Sequence, residues 1–200
     1  MKRIFILFVV LLLFGCSNQN CITQEEYNLL EIQYQELEQN IESREQYMKY
    51  YQNAKDEYFL ALLAKADAER YFELWMYYYD ESMFAESIGF CEEARTYYFK
   101  ANTNHQNAIQ YFKTAQEYTN EKQNKLLQSY INYCNITIDI NWAMYEACEY
   151  FESASKHYSR EEWKLGDLER EKGNEKINKH DSLIKQANTY SSEIKVLQGD

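Results

Sequence analysis

The side chains able to do chemistry are three histidines (His105, His157, His180), five cysteines (Cys16, Cys21, Cys91, Cys134, Cys148) and 32 carboxylates. A di-metal centre between helices needs Glu-x-x-His pairs, yet the residues three before the histidines are Asn102, Ala154 and Ile177. No His-Glu-x-x-His run, Gly-x-Ser-x-Gly elbow, phosphate loop or dinucleotide fingerprint occurs. Glu146 with Glu149, and His157 with Glu161, share helix faces, but on so acidic a chain such pairs read as solvated surface. No Cys-x-x-Cys spacing points to zinc or redox work. These residues predict no catalytic group, no metal and no cofactor, hence a protein that is not an enzyme.

One thiol has a distinctive setting. Cys16 follows a basic start (Lys2, Arg3) and an apolar run, Ile4 to Phe14, that halts at Gly15. Charge, a short apolar run and a small residue make the layout of a secretory signal, and the run is well short of the roughly 18 apolar residues that span a bilayer. Leu13-Phe14-Gly15-Cys16 resembles the lipobox of prokaryotic lipoproteins. The resemblance implies cleavage before Cys16, lipid modification (palmitate or a similar acyl chain) on its thiol, and an extracytoplasmic protein anchored to the cell membrane or outer membrane. Buried methylenes at about 0.8 kcal/mol each would hold two or three such chains firmly. Residues 1–15 are then a signal peptide and 16–22 a lipidated cysteine with a short polar tether.

Loss of Lys2 and Arg3 leaves 19 basic against 32 acidic residues, a formal charge of −13. Phosphate binding needs a basic footprint, so a nucleic-acid partner is not expected. The chain has no proline and only four glycines after the signal: Gly89, Gly166, Gly173 and Gly199. So few helix breakers predict an all-α chain. Of the later cysteines, Cys134 and Cys148 would stand about 21 Å apart on one helix and cannot bond each other there. Cys91 could meet one of them across neighbouring helices, and small buried apolar positions suit all three.

Thr23-Gln24-Glu25-Glu26 has the form of a capping box. From it Tyr27, Leu30, Tyr34, Leu37, Ile41, Met48, Tyr51, Tyr58 and Leu62 fall on three- and four-residue steps, a coiled-coil-like seam interrupted by Arg44 and Lys55. Ser43 heads a second capping-box pattern within that run. Asp80, Asn120 and Ser159 are further capping residues, each before acids in a first turn. The near-regular spacing of these caps predicts helices over 24–79, with a break near 43 allowed, and over 81–118, 121–158 and 160–197. Short connections force antiparallel neighbours, so residues 23–198 are expected to form one domain, an elongated up-down bundle of about four long helices. The third helix is the most apolar and the best candidate for its centre. The fourth is charge-mixed, and Gly166 and Gly173 weaken it by about 1 kcal/mol each relative to alanine.

A second organisation competes. Residues 108–115 and 147–154 both read Ala-x-x-Tyr-Phe-x-x-Ala, with a looser copy at Ser87 to Ala94. These look like the second helix of a tetratricopeptide repeat, which implies an irregular helical solenoid. The copies lie 39 and 21 residues apart against that family's 34.

The chain has twenty tyrosines, and Tyr77-Tyr78-Tyr79 follow closely on Trp75. Tyrosine offers contact area at low entropy cost, so Trp75, Tyr77, Tyr78 and Tyr79 are a candidate binding patch, set against the alternative that such rings pack between helices. The expected role is a protein-protein interaction or scaffolding module at a membrane, with an unidentified protein partner. The alternative is a module that binds or senses a small ligand between its helices.

Overall fold

The structure, a computed structural model, describes residues 23–199. Four helices account for nearly all of them: α1 (Gln24–Asp80), α2 (Phe84–Gln116), α3 (Glu121–Tyr158) and α4 (Trp163–Gln198). No strand occurs among the described residues. The lipobox residues Leu13, Phe14, Gly15 and Cys16 lie outside them. The chain divides into two compact units, Met1–Ser43 and Arg44–Asp200, where one domain from residue 23 is expected from the sequence. The capping pattern at Ser43 interrupts nothing, because α1 is helical on both sides of it.

In the first unit the capping box forms. Thr23 Oγ1 accepts the Glu26 amide at 3.2 Å, and the Glu26 carboxylate accepts the Thr23 amide at 2.8 Å. The Thr23 amide, with the Thr23 hydroxyl donating to the same carboxylate oxygen at 3.0 Å, holds the Glu26 carboxyl below its ordinary pKa. Every described residue of this unit is exposed.

The second unit is an all-α bundle whose neighbours run antiparallel. Phe84, at the start of α2, packs on Tyr158 at the end of α3, while Ala115 and Leu127 share a cluster at the other end. Gly166 of α4 lies against Tyr158, and Gln198 reaches Tyr130. Trp75 of α1 stacks on Phe151 of α3 at 4.4 Å, whereas Tyr51 meets Tyr130. Thus α1 runs parallel to α3, and α3 touches all three other helices. A solenoid of short helix pairs is not what forms. Thr103 to Gln106, where such a pair would turn, is continuous helix. The two Ala-x-x-Tyr-Phe-x-x-Ala copies instead give α2 and α3 matching inner faces, with Ala108, Phe112, Ala115, Ala147, Phe151 and Ala154 all buried.

Each helix of this unit carries one line of inward residues spaced by seven. The lines are Tyr47, Ala54, Ala61, Ala68 and Trp75 on α1; Ser87, Ala94, Ala101, Ala108 and Ala115 on α2; and Leu127, Cys134, Asn141, Cys148 and Ser155 on α3. All of these are buried. On α4 the line is Gly166, Gly173, His180, Ala187 and Ile194, where only His180 is half-buried. A strict seven-residue repeat keeps one face inward as helices coil about each other. The buried line of α1 is thus mainly alanine. Met48 from the large-residue seam is exposed, and Tyr51, Tyr58 and Leu62 are half-buried.

Caps follow packing as much as local preference. Asn120 caps α3 through a complete capping box with Gln123. Asp80, expected to start α2, is instead the last residue of α1, and Ser159, expected to start α4, closes α3. At the first of these corners Met83 N–H donates to the Tyr78 carbonyl and Ser82 N–H to Tyr79; at the second, Glu162 N–H donates to His157 and Glu161 N–H to Tyr158. This is the Schellman pattern. Its left-handed residues are Ser82 (φ 59) and Glu161 (φ 62) instead of glycine. The aromatic group Tyr79, Phe84, Tyr158 and Trp163 packs across both corners and fixes them.

Gly166 and Gly173 are the closest approaches of α4 to α3. A Cβ on Gly173 would stand 2.5 Å from the Phe151 ring, and one on Gly166 2.6 Å from the Tyr158 ring. Both rings are buried, so the missing methyls are what lets α4 dock. Gly173→Ala should therefore destabilise the bundle by about 1–3 kcal/mol despite the better helix propensity of alanine. Gly89→Ala, with nothing within 4 Å of the new methyl, should stabilise it by about 0.5–1 kcal/mol. Urea unfolding of the two variants checks the opposite signs.

Candidate functional site

Trp75, Tyr77, Tyr78 and Tyr79 do not share one surface. Trp75 is buried, lies between Phe72, Tyr79 and Phe151, and donates its indole N–H to Ser155 Oγ at 3.2 Å. Ser155 and Ser87 hydroxyls are 2.9 Å apart, so a small hydroxyl cluster satisfies the indole inside the core. Tyr78 packs on Phe90 and Tyr79 on Phe84 and Tyr158. Only Tyr77, 61% exposed, faces outward. Helical geometry explains the split, since successive residues turn by about 100° and cannot all face one way.

A polar layer inside the bundle gave no signal in the sequence. Tyr98, Asn102 and His105 line one face of α2, and Asn141 of α3 donates its amide to Asn102 Oδ1 at 3.0 Å. The layer lies between one apolar cluster around Phe112, Leu127 and Tyr130 and another around Trp75, Cys148 and Phe151. His105 is fully buried, with the Tyr58 ring edge-on at 5.8 Å. Its two ring nitrogens have no hydrogen-bond partner in the protein, nor do the Tyr98 hydroxyl, Asn102 Nδ2 and Asn141 Oδ1. Burial, with a smaller contribution from Lys65, pushes the His105 pKa down to about 4. It is a neutral imidazole at pH 7. The Asn141–Asn102 bond ties α2 to α3 at this layer.

Glu152, 8% exposed, is held by Arg95 at 3.3 Å and by Lys156. It sits beneath a surface hollow of about 450 Å³ whose rim includes Glu149, Tyr150 and Glu169. Cys91, Cys134 and Cys148 are free and buried. Burial, then Cys148 beside it, pushes the Cys91 thiol far up, and burial takes Cys134 up to about 12. Such thiols are not nucleophiles at neutral pH. Glu146 pairs with Lys176 at 2.6 Å, and His157 meets Glu162 at 2.6 Å instead of Glu161, whose left-handed backbone turns it away. Among the described residues no three His, Cys, Asp or Glu side chains converge as a metal site, and no helix is long and apolar enough to cross a membrane.

The first unit holds the feature with the clearest capacity to act. Tyr27, Leu30, Tyr34, Leu37 and Ile41 form one apolar stripe on α1, with exposures from 37% at Leu30 to 57% at Leu37. Isolated apolar residues on a surface need no explanation. A stripe on alternating three- and four-residue steps has the spacing that packs against another helix.

No known protein family, characterised protein or solved structure matches the chain.

Two outcomes test these assignments. Trp75→Ala should cost about 3–5 kcal/mol, whereas Tyr77→Ala should change stability by less than about 0.5 kcal/mol. His105 takes up a proton near pH 4 in the fold but near 6.5 when unfolded, so the unfolded chain binds more protons between those values. Stability is then complete above about pH 6.5 and falls by about 3 kcal/mol as pH drops to about 4. Denaturant titrations at stepped pH should show this loss, and His105→Gln should remove most of it.

Proposed function

We propose that the protein is a lipoprotein anchored outside the cytoplasm through Cys16, and that its helices serve as a protein-protein interaction or scaffolding module. The observation that carries the second part is the uncovered stripe from Tyr27 to Ile41. Leaving five large side chains in water forgoes burial worth about 1.5–3 kcal/mol for each aliphatic one, a loss that a bound helix would recover. The anchor is supported by Leu13-Phe14-Gly15-Cys16 and the apolar run before it. Together they describe a body that meets other proteins close to a membrane surface.

A small ligand held between the helices is the competing reading. It has the unpartnered atoms of Tyr98, Asn102 and His105 in its favour, but the Tyr58 ring packs against His105, and the surface hollow at Glu152 is rimmed by charge. The interaction module therefore accounts for more of the molecule.

Intact-mass measurement of the native protein tests the anchor. Acyl chains should be present on the wild type and absent from Cys16→Ala. In-cell cross-linking followed by capture should return a reproducible protein partner, and its absence would overturn the interaction role.

A further inference from the structure

The uncovered stripe has a definite charge environment. With Tyr27, Tyr34 and Ile41 at heptad position a and Leu30 and Leu37 at d, position e is Glu31 and Glu38, and position g is Glu26, Gln33 and Asn40. The remaining charges of residues 23–43 are Glu25, Glu36 and Glu42. Three carboxylates flank the apolar seam, and residues 23–43 carry three more on their other faces and no lysine, arginine or histidine.

That pattern disfavours pairing with a second copy. In a parallel pair g faces e of the partner, which sets Glu26 against Glu31 and leaves Gln33 opposite Glu38. In an antiparallel pair e faces e, which sets glutamate against glutamate along one edge. Neither register brings opposite charges together, and like charges across such a seam select against the pairing. An anionic lipid surface would be repelled for the same reason.

We propose that the face from Tyr27 to Ile41 docks a basic amphipathic helix of another protein, one whose apolar a and d residues meet this seam and whose lysines or arginines lie against Glu26, Glu31 and Glu38. The proposal rests on the reading of the chain as an interaction module and supplies the chemistry of the partner. Apolar burial provides the affinity, and the glutamates choose the partner's charge and speed the encounter. The helix that presents them is already begun by the Thr23–Glu26 capping box, so less ordering is left to binding.

The test titrates the full chain into a labelled synthetic helical peptide with leucine or isoleucine at a and d and lysine at e and g, followed by fluorescence anisotropy. Two control peptides carry glutamate at e and g, or alanine at a and d. The lysine peptide should bind, each control at least about tenfold more weakly, and affinity should fall several-fold as salt rises from about 0.05 to about 0.5 M. Leu30→Gln with Leu37→Gln should weaken binding about a hundredfold with helicity and thermal transition unchanged, since both leucines are exposed. Glu31→Gln with Glu38→Gln should leave binding intact but narrow the preference for lysine over glutamate peptide.

Equal binding of the glutamate or the alanine peptide would overturn the proposal, as would no binding at all. So would sedimentation of the full chain as a dimer that the leucine variant dissolves, which would make a second copy the occupant. Adsorption to phosphatidylcholine vesicles through the same leucines, without peptide binding, would make it a lipid surface. Partners cross-linked in cells equally by the wild type and the leucine variant would remove this face while leaving the interaction role standing. Capture of no partner by either would remove both.

Discussion

The close approach of the helices in the second unit rests on small side chains at the contact lines. Ala54 of α1 and Ala108 of α2 share one buried cluster, Ala68 and Ala94 share another, and Ala61 and Ala101 are buried as well. Such contact trades hydrophobic area per residue for dense packing and low ordering cost, because alanine has no rotamers to lose. Gly166 and Gly173 extend the same logic to α4 by omitting even the methyl. The large rings then occupy the space to either side of these lines, as with Trp75 on Phe151 and Phe112 on Tyr130.

Close packing of this kind encloses polar groups along with the apolar ones. His105, Asn102 and Asn141 are buried, and the Cys91 and Cys134 thiols are kept protonated by the same exclusion of water. The polar atoms without protein partners are costly, about 1–3 kcal/mol for each one that is truly unsatisfied. Their position between two apolar clusters gives that cost a use, since only one alignment of α2 and α3 pairs Asn102 with Asn141. The outer face of the first unit contrasts with this interior. There the large apolar residues are open and the alanines absent, a division of labour between folding and contact.

Much of the architecture was legible in the residues, and the misses have physical causes. The lack of proline, the capping box at Thr23 and the capping residue Asn120 announce long helices; the box forms at Thr23, and Asn120 caps α3 within a box completed by Gln123. Asp80 and Ser159 misled because a good capping residue competes with tertiary packing, and here the aromatic group around Tyr158 carries each helix past its cap. The α1 core line escaped notice because alanine is a weak hydrophobic signal beside Met48 or Leu62, although its seven-residue spacing is regular. The candidate patch at Trp75 failed on direction: composition says nothing about which way a ring points. His105 and Asn141 carried no visible signal, since polar residues on a helix are normally read as surface.

The regular inner lines have a consequence for how such a chain could change length. Because every helix of the bundle repeats its inward position at seven residues, adding or removing one heptad in a single helix would strand its turns, but the same change made in all four would restore every contact line two turns further along. Growth by matched sevens is therefore the change the architecture tolerates best, and a lone insertion of one or two residues the one it tolerates least. A homologue of different size would be expected to differ by whole heptads in each arm.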